Sequence, residues 1–224
     1  MSPVSALLAL TLWCLSASLT ASASTANDAG ELEALLADID TMRSKVRQVI
    51  VEADGEVLEE SRIRFLLKRP DGFYWETVEP WPELIITDGE TLWHYQPDLW
   101  QLTIDDWEQD ESELAAHLLS GRFDRLSEDY TVEIHPASTS TQQSFVLEPL
   151  DPGSVYEQLQ LYFENGRLAS IDVNQTNGQR TQWEFNDVVV NEPVDDARFR
   201  FEMPDDVDEE LLDVLDNRDA AARP

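Results

Sequence analysis

The side chains able to do chemistry are either too few or too scattered to form a reactive centre. His94, His117 and His135 fall in three separate elements, and none has a second His or a Cys at metal-ligand spacing. Carboxylate pairs such as Asp105-Asp106, Asp195-Asp196 and Asp205-Asp206 recur along the chain, so none is singled out as an acid/base couple. No Gly-rich phosphate loop or G-x-S-x-G elbow is present, and Gly89, Gly166 and Gly178 each belong to a turn signal. These residue types point away from an enzyme and call for no metal or cofactor. One cation does stand out, by its position. In the stretch 61–69 the apolar Ile63, Phe65 and Leu67 alternate with Arg62, Arg64 and Lys68, and the same count puts Arg69 on the apolar face. A guanidinium there is costly unless it is paired or kept near solvent. Two readings stay open: the strand ends before Arg69 and Pro70 turns it outward, or Arg69 is a polar latch at the mouth of a cavity.

The elements that must position these residues are mostly strands. Leu32, Leu35, Leu36 and Ile39 recur at helical spacing and predict an amphipathic helix over 29–40. The period then changes to two. Strands are expected over 46–52, 57–67, 73–78, 84–87, 91–95 and 99–104, separated by Asp54-Gly55, Asp71-Gly72, Pro80-Trp81-Pro82, Asp88-Gly89 and Pro97-Asp98. A short helix is expected from Ser112 to Gly121, carrying Leu114, Leu118 and Leu119 on one face. Strands resume over 130–134, 144–148, 159–164, 167–174 and 180–189, with hairpin turns at Asn165-Gly166 and Asn177-Gly178 and a last short strand at Phe199 and Phe201. The expected fold is mainly β: a strongly curved antiparallel sheet or incomplete, half-open barrel with a few short helices.

The interior of such a sheet is read from rows of alternate residues. Ile63, Phe65 and Leu67 form one; Phe73 and Trp75, Trp100 with Leu102 and Ile104, Leu161 and Phe163, Ile171, and Trp183 with Phe185 supply others. So many large aromatics, set against so few helices to plug the barrel, point to an apolar cavity under a movable lid.

Composition sets the habitat. The chain has 224 residues, 42% of them hydrophobic, and 46 acidic against 15 basic residues give a formal charge of −31. That balance excludes nucleic acid as a partner and disfavours anionic lipid surfaces. It fits either a cationic partner or a general acidic coat in a salty compartment. The first 23 residues have the apolar run and Ala21-Ser22-Ala23 ending of a secretory signal, though no basic residue precedes the run. The single Cys14 lies inside it, so cleavage would leave no thiol. The expected organisation is a cleaved signal over 1–23, one exported domain over 24–208 and an acidic, unstructured tail over 209–224.

Several motifs in order resemble the LolA family of outer-membrane lipoprotein carriers. Leu66 to Glu76, with Arg69-Pro70 before Phe73-Tyr74-Trp75, is similar to that family's arginine-proline strand pair. Thr87-Asp88-Gly89 followed by Leu92-Trp93-His94-Tyr95 resembles its second hairpin, and Pro97 to Thr103 continues the match. Gly178-Gln179-Arg180-Thr181 and Phe199 to Pro204 resemble its closing segments, so the likeness runs over roughly 31–208. It implies a half-open barrel with a helical lid and a periplasmic monomer whose cargo is triacylated lipoproteins. These would be received from the inner-membrane ABC transporter LolCDE and passed to the outer-membrane receptor LolB. It also implies that Arg69 holds the lid, here Leu114, Leu118 and Leu119, and serves onward transfer. A lipid- or peptide-sensing regulatory module of the same fold is the alternative.

Overall fold

The structure, a computed structural model, describes residues 21–107, 126–204, 207 and 212–218. The expected helix at Ser112–Gly121, with Leu114, Leu118, Leu119 and His117, lies outside the described residues, as does most of the expected signal segment. Helix α1 spans Ala21–Ala37. It begins earlier than its apolar spacing predicts and stops before Asp38. Ala29, Leu32 and Leu36 recur at helical spacing on one face and are buried.

Twelve strands follow among the described residues: β1 Thr41–Val51, β2 Val57–Lys68, β3 Gly72–Glu79, β4 Glu83–Thr87, β5 Thr91–Gln96 and β6 Gln101–Asp106; then β7 Tyr130–Ile134, β8 Gln142–Pro149, β9 Tyr156–Glu164, β10 Arg167–Gln175, β11 Arg180–Val190 and β12 Asp213–Asp216. They form one sheet in the order β12-β6-β5-β4-β3-β2-β1-β11-β10-β9-β8-β7. Neighbours are antiparallel except β12, which runs parallel to β6. The sheet does not close on itself, and β7 and β12 remain as edges.

Two segments depart from the sequence reading. Phe199 ends a 3-10 turn, Asp196–Phe199, rather than a strand, because Asp195 accepts from the Ala197 N–H and winds the chain. The tail expected to be unstructured places Asp213–Asp216 on the otherwise open edge of β6.

Curvature has a local cause beside β1. The β1–β11 register shifts between Arg43 and Lys45, where Asp187 takes a positive φ of 55°. This bulge bends the two strands around the concave side. There Ser44, opposite Phe65, is small enough for Phe65 of β2 and Phe185 of β11 to meet across β1, ring centroids 5.9 Å apart. The main core fills this concave face and takes in Leu32 and Leu36 of α1.

Candidate functional site

Arg69 sits just past β2, where β1 begins and α1 ends. Its Nη2 donates to the Leu36 carbonyl at 2.5 Å, and its Nε donates to the Ile39 carbonyl. Its own backbone N–H donates to the Asp40 carbonyl at 2.8 Å. A helix ends with unsatisfied carbonyls and partial negative charge, and a guanidinium answers both. Burial pulls the Arg69 pKa below its ordinary value, opposed by the Asp40 carboxylate. Asn191, at a positive φ of 60° just beyond β11, ties the same junction from the other side. Its amide nitrogen donates to the Asp38 carbonyl at 2.8 Å, and its oxygen accepts from the Asp40 N–H at 2.9 Å.

The middle of α1 is fixed near the β7 edge. There Asp28 accepts from the Ile134 N–H at 3.1 Å and Glu31 from the Gln143 amide at 2.6 Å. Helix α1 therefore lies across one end of the half-barrel and closes it. Of the two sequence readings of Arg69, the bend at Pro70 does not turn it away from the fold: it is half-buried against the closing helix.

Most of the expected interior residues come together. Ile63, Phe65, Leu67, Phe73, Trp75, Leu161, Phe163, Ile171, Trp183 and Phe185 all belong to the concave core. Phe65 meets Phe73 and Trp75 edge-on at 5.8 and 6.0 Å, and Trp75 meets Trp183 edge-on at 5.8 Å.

The third expected row is a correction. Leu102 and Ile104 share a face, but it is the convex one, where they pack with Tyr95, Trp93, Phe201 and Leu212. The chain after β11 returns over this face and covers it, so the apolar row on β6 points out of the barrel. Trp100 lies in no strand; it follows a 3-10 turn, Pro97–Leu99, at a φ of 54° and is 44% exposed. Of the histidines, His94 pairs with Glu83 through Nε2 and Oε1, and His135 accepts from the Ala137 N–H at the end of β7.

A cavity of about 520 Å³ opens at the far end of the barrel from α1, within the usual range for ligand sites. From Glu59 on its rim to Arg69 is ten residues along β2, about 30 Å at a strand's rise. Its floor is Trp75, Ile85, Val173 and Trp183; its wall is polar, with Gln48, Glu59, Thr77, Gln96, Gln175 and Thr181. Trp81 and Leu99 stand on the rim, 67% and 65% exposed. Arg69 and the open mouth, joined in one of the two sequence readings, are thus at opposite ends. Gln48, Asn191 and the rim residues were not singled out from sequence. A lone amide in a strand carries no signature, though the proline-flanked Trp81 is an exposed aromatic in a turn.

Comparison with known proteins places this architecture. The profile of the family described as outer membrane lipoprotein carrier protein LolA matches residues 37–202. The outer-membrane lipoprotein carrier protein of Hahella chejuensis (strain KCTC 2396) is 38% identical over 194 residues, 86% of this chain and 93% of that protein. Its namesake in Chromohalobacter salexigens is 36% identical over 190 residues, 85% and 89% of the two chains. Among solved structures, an uncharacterized conserved protein from Thermus thermophilus shares the fold, with a TM-score of 0.52 and 12% identity over 83% of this chain and 99% of that one.

Proposed function

Because the chain belongs to the LolA family of outer membrane lipoprotein carrier proteins, we propose that it shelters the acyl chains of lipoproteins inside its half-open barrel and carries them through the periplasm. The observation that carries this reading is an apolar concave face stopped at one end by helix α1, which is pinned by hydrogen bonds from Arg69 and Asn191. Phe65, Phe73 and Phe163 are each only 1% exposed, so long chains need more room than the open cavity offers. Withdrawal of α1 would free the space held by Leu32 and Leu36. Acyl methylenes would replace these side chains at about 0.8 kcal/mol each. Exchange of one apolar filling for another keeps the net affinity moderate, which a carrier needs in order to release.

In this scheme Arg69 sets the balance. Its bonds to the carbonyls of Leu36 and Ile39 favour the closed, empty form, and their return drives cargo out. Leu114, Leu118 and Leu119 would complete the lid. The cargo is a triacylated lipoprotein, the donor an inner-membrane ABC transporter of the LolCDE type, and the acceptor a LolB-type receptor. The working protein is a monomer exported by the leader over 1–23.

The test loads purified protein from membrane vesicles bearing the transporter, assays soluble lipoprotein, then adds outer-membrane receptor. Lipoprotein that becomes soluble and moves on supports the carrier. Protein that binds fatty chains yet never solubilises a lipoprotein sinks this reading in favour of a sensing module. Arg69→Leu is expected to load but not to hand over; normal transfer by that variant refutes the latch.

A further inference from the structure

We propose that Gln48 reads carbonyl groups at the open cavity, selecting cargo by the esters that join two of the acyl chains to a lipoprotein's N-terminal cysteine; this rests on the carrier reading above. Along β1 the concave row runs Met42, Ser44, Val46, Gln48 and Ile50, and Gln48 is its one amide. The Trp183 indole N–H donates to Gln48 Oε1 at 2.7 Å. An indole nitrogen only donates, so this bond fixes which way the amide faces. Gln48 makes no other side-chain hydrogen bond among the described residues, which leaves both its N–H donors unspent beside the cavity it lines.

The surroundings keep it so. Ser61 is directly opposite Gln48 on β2, but its hydroxyl is committed to Glu59. On the other flank Trp183 is held edge-on by Trp75. A rigid aromatic therefore aims a two-donor group at the level where the apolar floor gives way to the polar wall. A lipoprotein has its own boundary of that kind: hydrocarbon on one side, peptide on the other, and acceptor-only carbonyls between. Hydrocarbon alone would strip water from the Gln48 donors without replacing it, whereas ester carbonyls restore those hydrogen bonds.

The experiment is calorimetric titration of the purified protein with two synthetic lipopeptides of identical peptide sequence. One carries two ester-linked palmitoyl chains and an N-palmitoyl group on its cysteine; in the other the two esters are replaced by ethers. The ester form is expected to bind about five- to tenfold tighter, the worth of one or two hydrogen bonds. Gln48→Glu keeps an acceptor for Trp183 but removes the donors, and should bring the ratio to about one by weakening the ester form alone. Gln48→Met, which abandons both roles, should do the same to the ratio and guards against a glutamate that disturbs folding. A ratio that survives in both variants, or equal weakening of both lipopeptides, overturns the assignment and leaves Gln48 as a seat for Trp183. Equal affinities in the unaltered protein also overturn it while leaving the carrier reading intact. Failure of the unaltered protein to bind either lipopeptide refutes the carrier reading itself.

Discussion

The two ends of the half-barrel are built from the same strands yet finished oppositely. Toward α1 the interior rows end in Met42, Leu67, Phe73 and Leu168, all at most 2% exposed. Toward the cavity the same rows carry Gln48, Glu59, Thr77 and Gln175. Rows that stay apolar demand a cover, and α1 supplies one; rows that turn polar stay hydrated and leave a mouth. The side chains along a few alternating rows distinguish the ends.

Leu32 tests the covered end most severely, since it is fully buried under α1. Leu32→Ala should cost about 2–5 kcal/mol, the range for a leucine removed from a packed core, read as a lower urea midpoint. A loss no larger than that of an exposed substitution would mean that α1 rests on the barrel without closing it.

Arg69→Leu comes next, with an expected loss of about 1–2 kcal/mol for two carbonyls left without their charged donor. Hydrogen exchange sharpens the point: protection should fall in α1 and at the start of β1, but not in β3 and β4. An even loss across the sheet would break the idea of a separable closing helix.

How far the sequence reveals this contrast depends on whether a strand has one apolar face or two. On β2 only one face alternates cleanly, so Ile63, Phe65 and Leu67 declared the interior, and parity alone put Arg69 beside it. Leu84, Ile85 and Ile86 on β4 cannot be sorted that way, because both faces are covered. Leu102 and Ile104 on β6 form a true row, but nothing local tells which side the returning chain will cover. The partners of Arg69 were hidden for a similar reason. They are backbone carbonyls about thirty residues away, and only the packing of α1 across the barrel end brings them near.

Between the two ends, on the convex side of β10, Asp172 should respond to pH against the usual sign. Burial raises its carboxyl pKa, opposed by the Gln182 and Tyr162 side chains and reinforced by the charge on Glu184, and its Oδ1 is buried with no hydrogen-bond partner among the described residues. The fold thus holds this proton to a higher pH than the unfolded chain does. Protonated Asp172 favours the fold, and that contribution is lost as pH rises through the folded value. Glu60 and Asp187 run the other way: hydrogen bonds from Arg47 and Lys45 lower their values, so their contribution is lost as pH falls. Asp172→Asn should raise stability at neutral pH by under about 1 kcal/mol, given its partial exposure to screening solvent. It should also flatten the mildly acidic limb of a plot of stability against pH. A variant that is less stable at neutral pH would show that the charge is paired after all.

The smallest effect on stability belongs to the open end. Trp81 and Leu99 are mostly exposed on the rim, so replacing both with alanine removes little that folding had buried. A change within about 0.5 kcal/mol is expected in urea unfolding. Lipopeptide affinity should nonetheless fall, because these side chains are apolar area that only a seated ligand takes from water. That pairing, unchanged stability with weakened binding, is the inverse of what Leu32→Ala must show. If the rim variant instead loses several kcal/mol of stability, the rim is folded core, and the two ends differ less than their interior rows imply. If neither stability nor affinity moves, the mouth admits ligand without help from its aromatic edge, and selection must lie deeper, at the level of Gln48 and Trp183.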